Sequence, residues 1–287
     1  REPYCCIERF SDITNTGRLV VWQCAERRRL EPDEDNRAWQ IVFESYSNDN
    51  FQIITIKDMR RLPIYFLVDV SESMVGEPIK QVENGMRQIV QELRTDPYAL
   101  ETAFISVIAF AGKAKSLSPL TELYKFYPPT FPIGGGTSLG CALDFLMDDI
   151  DKNVVKTTEE RKGDWKPIIF LFTDGTPTDN PSSAFARWNN KYRRKANLVA
   201  ISIGDNVNTQ LLGQISDNVL RLNETDEMSF KAFFKWVTAS IQATSVSVTD
   251  MGDDSVALAP TTGINLEKVD TSKPCAVDEN YTVLLGK

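Results

Sequence analysis

Ile64-Tyr65-Phe66-Leu67-Val68-Asp69-Val70-Ser71-Glu72-Ser73 is an apolar run that stops at a carboxylate and then carries two hydroxyls on alternate residues. From Pro63 to Val68 no side chain is charged and there is no polar face. Such a run reads as a strand covered on both sides of a sheet. Asp69 then stands where the strand leaves the sheet at its carboxyl end, the edge at which open α/β sheets bind ligands. Period-two spacing turns Asp69, Ser71 and Ser73 the same way in extended chain. Three converging oxygen donors suit a hard cation such as Mg²⁺. Taken alone, the string reads equally as a strand end followed by a serine-rich helix cap.

Two later stretches shift that balance. Gly134-Gly135-Gly136-Thr137-Ser138-Leu139-Gly140 brings a hydroxyl after a flexible loop and opens a helix. Ile168-Ile169-Phe170-Leu171-Phe172-Thr173-Asp174-Gly175 is a second apolar run ending in a carboxylate. Between and beyond them, helical and strand patterns alternate. Ile79, Val82, Met86, Ile89, Val90 and Leu93 recur with a 3.6-residue period after Gly76-Glu77-Pro78, which predicts a helix with proline in its first turn. Strands are predicted over Thr102 to Phe110, Leu198 to Ile203 and Val219 to Leu222, the last of the series. Lys113 to Leu117 reads as an edge strand. Further helices are predicted from Leu139 to Val154, from Ser182 to Lys195 and from Thr209 to Ile215. Phe230, Phe233, Phe234, Val237 and Ile241 stripe a final one as core residues. This alternation predicts an α/β, Rossmann-like doubly wound sheet, mostly parallel with one antiparallel edge strand, plus small β-rich appendages.

The set Asp69, Ser71, Ser73, Thr137 and Asp174 resembles the metal-ion-dependent adhesion site (MIDAS) of von Willebrand factor A (vWA) domains, over residues 59–247. Met59-Arg60-Arg61-Leu62-Pro63, Lys162-Gly163-Asp164-Trp165-Lys166-Pro167 and Phe233-Phe234-Lys235-Trp236-Val237 are similar to strings of the bacterial tellurite-resistance TerY group. The resemblance implies a site holding Mg²⁺ (or Mn²⁺ or Ca²⁺) that accepts an acidic residue of a protein partner. It also implies a stress-response system with a PP2C-type phosphatase and a Ser/Thr protein kinase, and no catalysis by this chain. Glu72 departs from the commoner pattern, in which glycine is frequent; it either faces solvent or adds negative charge beside the ion.

The flanks are less readable. Residues 1–58 form a small β-rich segment with strands expected at Leu19 to Trp22, Ala38 to Phe43 and Phe51 to Ile56. Met59 suits an initiator, so this segment reads as a fusion or a displaced fragment. Residues 248–274 read as a polar linker, with Thr244 to Thr249 a candidate phosphoacceptor stretch. Residues 275–287 read as the opening of a small β element, which the TerY resemblance implies is the start of a truncated metal-binding domain.

Composition limits the chemistry. There is no histidine among 287 residues, which removes Ser-His-Asp and Cys-His catalysis and every imidazole ligand. A net charge of −8 argues against nucleic acid as the main partner. The basic run Lys191-Tyr192-Arg193-Arg194-Lys195 reads as cations at a helix C-terminus. No apolar run reaches membrane-span length, and no signal peptide is visible. Five cysteines, an odd count, suggest a reducing cytoplasm. Cys5, Cys6, Cys24 and Cys275 are a candidate zinc set; ordinary buried thiols are the alternative. A Mg²⁺-dependent phosphohydrolase using Asp69 as nucleophile is the competing function, although Ser71 stands where a second acid is expected and no basic phosphate clamp is evident.

Overall fold

The computed structural model describes residues 42–45, 52–55, 60–159, 162–203, 207–222, 227–250, 258–260 and 266–269. The chain divides into two compact units, Arg1–Met59 and Arg60–Lys287. In the first, β1 (Val42–Ser45) and β2 (Gln52–Thr55) pair antiparallel, Val42 opposite Thr55. The expected strand at 19–22 and the start of the one at Ala38 lie outside the described residues.

The second unit begins with β3 (Leu62–Asp69), whose eight residues are all buried. Its side chains alternate between two cores: Ile64, Phe66 and Val68 enter one, Tyr65 and Leu67 the other. A strand that must be apolar on both faces needs helices on both, and the chain supplies them. After β3 come α1 (Glu77–Leu93), α2 (Pro97–Thr102), β4 (Ala103–Phe110) and β5 (Ala114–Glu122). Next are α3 (Leu139–Asn153), β6 (Ile168–Thr173), α4 (Ser182–Arg187) and β7 (Asn197–Ile203). The unit ends with α5 (Thr209–Gly213), β8 (Asn218–Leu222), α6 (Glu227–Asp250) and β9 (Leu266–Lys268). The sheet order is β5-β4-β3-β6-β7-β8-β9. The central strands run parallel, so the carboxyl ends of β3 and β6 meet at the same rim, Val68 opposite Phe172. Apolar residues of α1, α2 and α6 fill one core, and those of α3, α4 and α5 the other.

The expected doubly wound architecture holds, with informative differences. Both sheet edges are antiparallel, not one: β5 pairs with β4, and β9 pairs with β8. The segment 248–274, read as a linker, therefore contributes a strand after β8, with Leu266 opposite Leu222. Polar composition hid it, because an edge strand needs backbone partners more than apolar side chains. Helix α6 runs on to Asp250. Thr244 and Ser245 are buried in it, and Thr244 Oγ1 donates to the Ser240 carbonyl at 2.8 Å, so these two are not accessible phosphoacceptors. The strand expected from Thr102 starts one residue later, because Asp96 caps α2 through the Ala99 N–H at 3.0 Å. The helix expected from Ser182 to Lys195 opens into a π turn over Trp188–Tyr192. There the Arg193 N–H reaches the Trp188 carbonyl at 3.0 Å, and the wider turn stacks Trp188 on Tyr192, centroids 6.0 Å apart, with both rings buried.

Helices α1 and α6 meet where α1 has no side chain. A β-carbon built on Gly85 would lie 1.9 Å from the Phe234 ring. That ring is hemmed in by Phe172, Phe230 and Phe233, so it has nowhere to move. Gly85→Ala is expected to lose about 1 kcal/mol or more of stability through overpacking, although alanine is the better helix former by about 1 kcal/mol. Urea unfolding measures this; an unchanged or raised midpoint would show that the two helices are not seated so closely.

Candidate metal centre

The site grows from the last residue of β3. Asp69 is fully buried, and a buried carboxylate needs hydrogen-bond donors. The chain reversal after β3 turns the Ser71 N–H back onto Asp69 Oδ1 at 2.9 Å. The neighbouring strand supplies the second donor: Thr173 Oγ1 donates to Asp69 Oδ2 at 2.8 Å. Thr173 follows Phe172 in the ladder as Asp69 follows Val68, so the two side chains emerge side by side on one face of the sheet.

From this floor the polar groups climb to the surface. Ser71 Oγ and Ser73 Oγ lie 3.0 Å apart, and Ser73 Oγ donates to Asp174 Oδ1 at 2.7 Å. Ser71 is buried, Asp174 half-buried and Ser73 exposed. Thr137 arrives from the far loop. Its Oγ1 lies 3.6 Å, and Ser73 Oγ 4.0 Å, from the point a β-carbon on Gly175 would occupy. The structure thus brings all five predicted residues, Asp69, Ser71, Ser73, Thr137 and Asp174, to one rim.

Backbone hydrogen bonds tie the glycine loop to the neighbouring strand ends. The Gly134 N–H donates to the Val70 carbonyl at 2.9 Å, Gly112 N–H to the Gly135 carbonyl at 2.7 Å, and Ser138 N–H to the Ala111 carbonyl at 2.7 Å. Gly136 takes φ 78°, a left-handed conformation that glycine adopts without penalty. Thr178 clamps Thr137 from the other side: the Thr137 N–H donates to Thr178 Oγ1 at 2.9 Å, and the Thr178 N–H to the Thr137 carbonyl at 2.8 Å. Asp179 Oδ2 accepts from the Cys141 N–H at 3.1 Å and caps α3. Glu72 is exposed, with Oε1 3.5 Å from where a β-carbon on Gly135 would sit, so its charge lies at the rim.

Thr173, Thr178 and Asp179 were not singled out in the sequence. A signal for Thr173 existed: once the two apolar runs are paired as parallel strands of matched length, the residue before Asp174 falls beside Asp69. Thr178 and Asp179 act through a turn whose geometry no periodicity encodes.

Electrostatics fit a cation. Burial raises the pKa of Asp69 above its ordinary 3.8; hydrogen bonds from Ser71 and Thr173 pull it partly back, and the charge of Asp174 pushes it up again. Burial also raises Asp174, against the Ser73 hydrogen bond. Two carboxylates that resist ionisation side by side are relieved by a positive charge between them. The donor set is two carboxylates and three hydroxyls, all hard oxygens. Among the described residues no three histidine, cysteine or acidic side chains gather into a metal site, so any ion here relies on hydroxyls. The candidate zinc ligands Cys5, Cys6, Cys24 and Cys275 lie outside the described residues; Cys141 is exposed and free.

The family model of the von Willebrand factor type A domain matches residues 64–236. Inter-alpha-trypsin inhibitor heavy chain H1 of Bos taurus is 24% identical over 149 residues, 51% of this chain and 16% of that protein. Heavy chain H6 of Homo sapiens is 23% identical over 159 residues, 53% of this chain and 12% of that protein. The chain therefore spans less than a fifth of the length of either relative. Among solved structures, the pilus adhesin SpaC of Lactobacillus rhamnosus GG in its open conformation is similar with a TM-score of 0.53. It is 13% identical over 71% of this chain and 34% of that one, a likeness of fold.

The raised carboxyls give a pH signature. A carboxyl whose folded pKa exceeds its unfolded value keeps its proton longer in the folded chain. The stability this gives is present at low pH and is lost as pH rises from 3.8 through the folded value. Without divalent ions, Asp69→Asn is therefore expected to gain stability relative to the unmodified chain as pH rises toward neutral. Paired urea titrations at several pH values check this; an advantage that shrinks with rising pH would contradict the burial-driven shift.

Proposed function

The chain belongs to the von Willebrand factor type A domain family, and from that premise we propose that it is a metal-dependent protein-binding adaptor without catalytic activity. One observation supports this above others: the hydroxyls of Ser71, Ser73 and Thr137 converge with the carboxylates of Asp69 and Asp174 at the end of the sheet. In this reading those five residues hold Mg²⁺, or Mn²⁺ or Ca²⁺. Asp69 anchors the floor, Ser71, Ser73 and Thr137 offer neutral oxygens, and Asp174 sits at the mouth. Five protein oxygens are fewer than the six or more such ions take, which would leave a position for an acidic side chain from outside. Ser73 and Asp174, the accessible members, border that approach.

The hydrolase alternative fares worse on the same geometry. The Asp69 side chain has no exposed surface. A nucleophile must meet the substrate phosphorus directly, whereas a carboxylate can hold an ion through an intervening water. The finer assignment, a TerY-like component acting with a PP2C-type phosphatase and a Ser/Thr protein kinase in the bacterial cytoplasm, rests on the sequence strings and the cysteine usage. Among the described residues no helix is long and apolar enough to cross a membrane.

Calorimetric titration with Mg²⁺, Mn²⁺, Ca²⁺ and Zn²⁺ tests the ion, and Asp69→Ala and Thr137→Ala are expected to weaken binding by more than about tenfold. The purified chain is expected to leave p-nitrophenyl phosphate intact and to retain a PP2C-type phosphatase or a kinase only with divalent ion present. Turnover that Asp69→Ala abolishes would establish the hydrolase instead.

A further inference from the structure

Beside the candidate ion site lies a cleft of about 450 Å³, within the usual range for ligand pockets. Val70, Ala109, Ala111 and Leu117 form its floor, and the Pro132–Gly135 loop is one wall. That loop is shared: one side closes the cleft, and two residues further on it delivers Thr137 to the ion site. Ile133, on the wall, leaves 43% of its surface exposed. The opposite wall is the edge strand β5, which contributes Lys115, and the turn before it contributes Lys113. Both lysines are exposed, and among the described residues neither pairs with a carboxylate. On a chain of net charge −8, these two lysines border an apolar floor, and no carboxylate is among the residues lining the cleft.

We propose that this cleft receives the continuation of the same partner segment that reaches the ion, and that the segment is an extended acidic peptide with an apolar side chain. One carboxylate approaches the ion, an aliphatic side chain next to it fills the apolar floor, and further carboxylates lie over Lys113 and Lys115. Charge complementarity selects this occupant, since unmatched lysines around an apolar floor favour an acidic-apolar ligand over a basic or nucleic-acid one. The inference rests on the ion-dependent reading above and names the chemistry of its partner.

The probe is a fluorescent octapeptide of glycine and serine carrying, in order, a glutamate, a leucine and two glutamates, titrated with Mg²⁺ into the ¹⁵N-labelled full chain. The expected result is Mg²⁺-dependent binding that shifts the amides of Lys113, Lys115, Ile133 and Gly135. Lys113→Glu with Lys115→Glu is expected to weaken the peptide about tenfold without weakening Mg²⁺. A peptide whose last two glutamates are lysines is expected to regain affinity for that variant. Replacing the leucine by serine, or Ile133→Ser in the chain, is expected to weaken binding too. Peptide binding indifferent to the lysine reversal and the leucine would overturn the cleft and leave the ion site intact. Retained Mg²⁺ affinity with no peptide binding would do the same, as would a dimer of the free chain that already hides these amides. Absence of Mg²⁺ binding by calorimetry would instead overturn the ion site itself.

Discussion

The Asp69 carboxylate is cut off from water at the end of the central strand, and much of the surrounding architecture is a response to that. Desolvating a carboxylate costs several kcal/mol unless donors replace its water. Here two do: a backbone N–H from the reversal after β3, and a hydroxyl from β6. The first requires the tight turn at Ser71. The second requires β3 and β6 to be parallel neighbours ending at the same level. Parallel neighbours demand crossover connections, so α1 through α3 and the intervening edge pair are the route by which the chain brings Thr173 to Asp69. Asp174, next in sequence, then cannot avoid being near, and its charge adds to the burden on Asp69. Two carboxyl groups pushed toward the neutral form thus share this rim.

How far the sequence revealed this depended on the kind of interaction. The apolar strand runs and the 3.6-residue stripe of α1 were legible because burial on two faces, or on one, writes directly into residue type. The five oxygen donors were legible because they sit at strand ends and loop exits that those runs define. Thr173, Thr178 and Asp179 were not, since each acts through a partner more than forty positions away or through a turn. Strand β9 was missed for a different reason: three residues satisfied by the backbone of β8 leave no apolar pattern. The π turn at Trp188–Tyr192 was missed because two aromatics spaced by four residues fit an ordinary helix equally well.

The strings that suggested a particular bacterial subgroup now have roles within the fold. Asp164 receives Arg61 Nε at 2.8 Å and the Val155 N–H at 2.7 Å, and Trp165 lies under the Arg60 guanidinium, 3.3 Å from its centroid. These contacts pin the connection between α3 and β6 against the start of β3, at the end of the sheet away from the candidate ion. Phe233 and Phe234 pack on Phe172, and Trp236 Nε1 donates to the Ala259 carbonyl at 2.7 Å. A residue that holds two strands or a helix in place is selected by its neighbours in the chain, whatever the chain binds. Partner choice has to be written elsewhere, in groups that reach solvent around the rim and do not serve the frame. Glu72 is one: exposed, negatively charged and close to Gly135. Its carboxylate adds negative charge at the rim beside the loop that carries Thr137, where it opposes a second anion unless its side chain swings away.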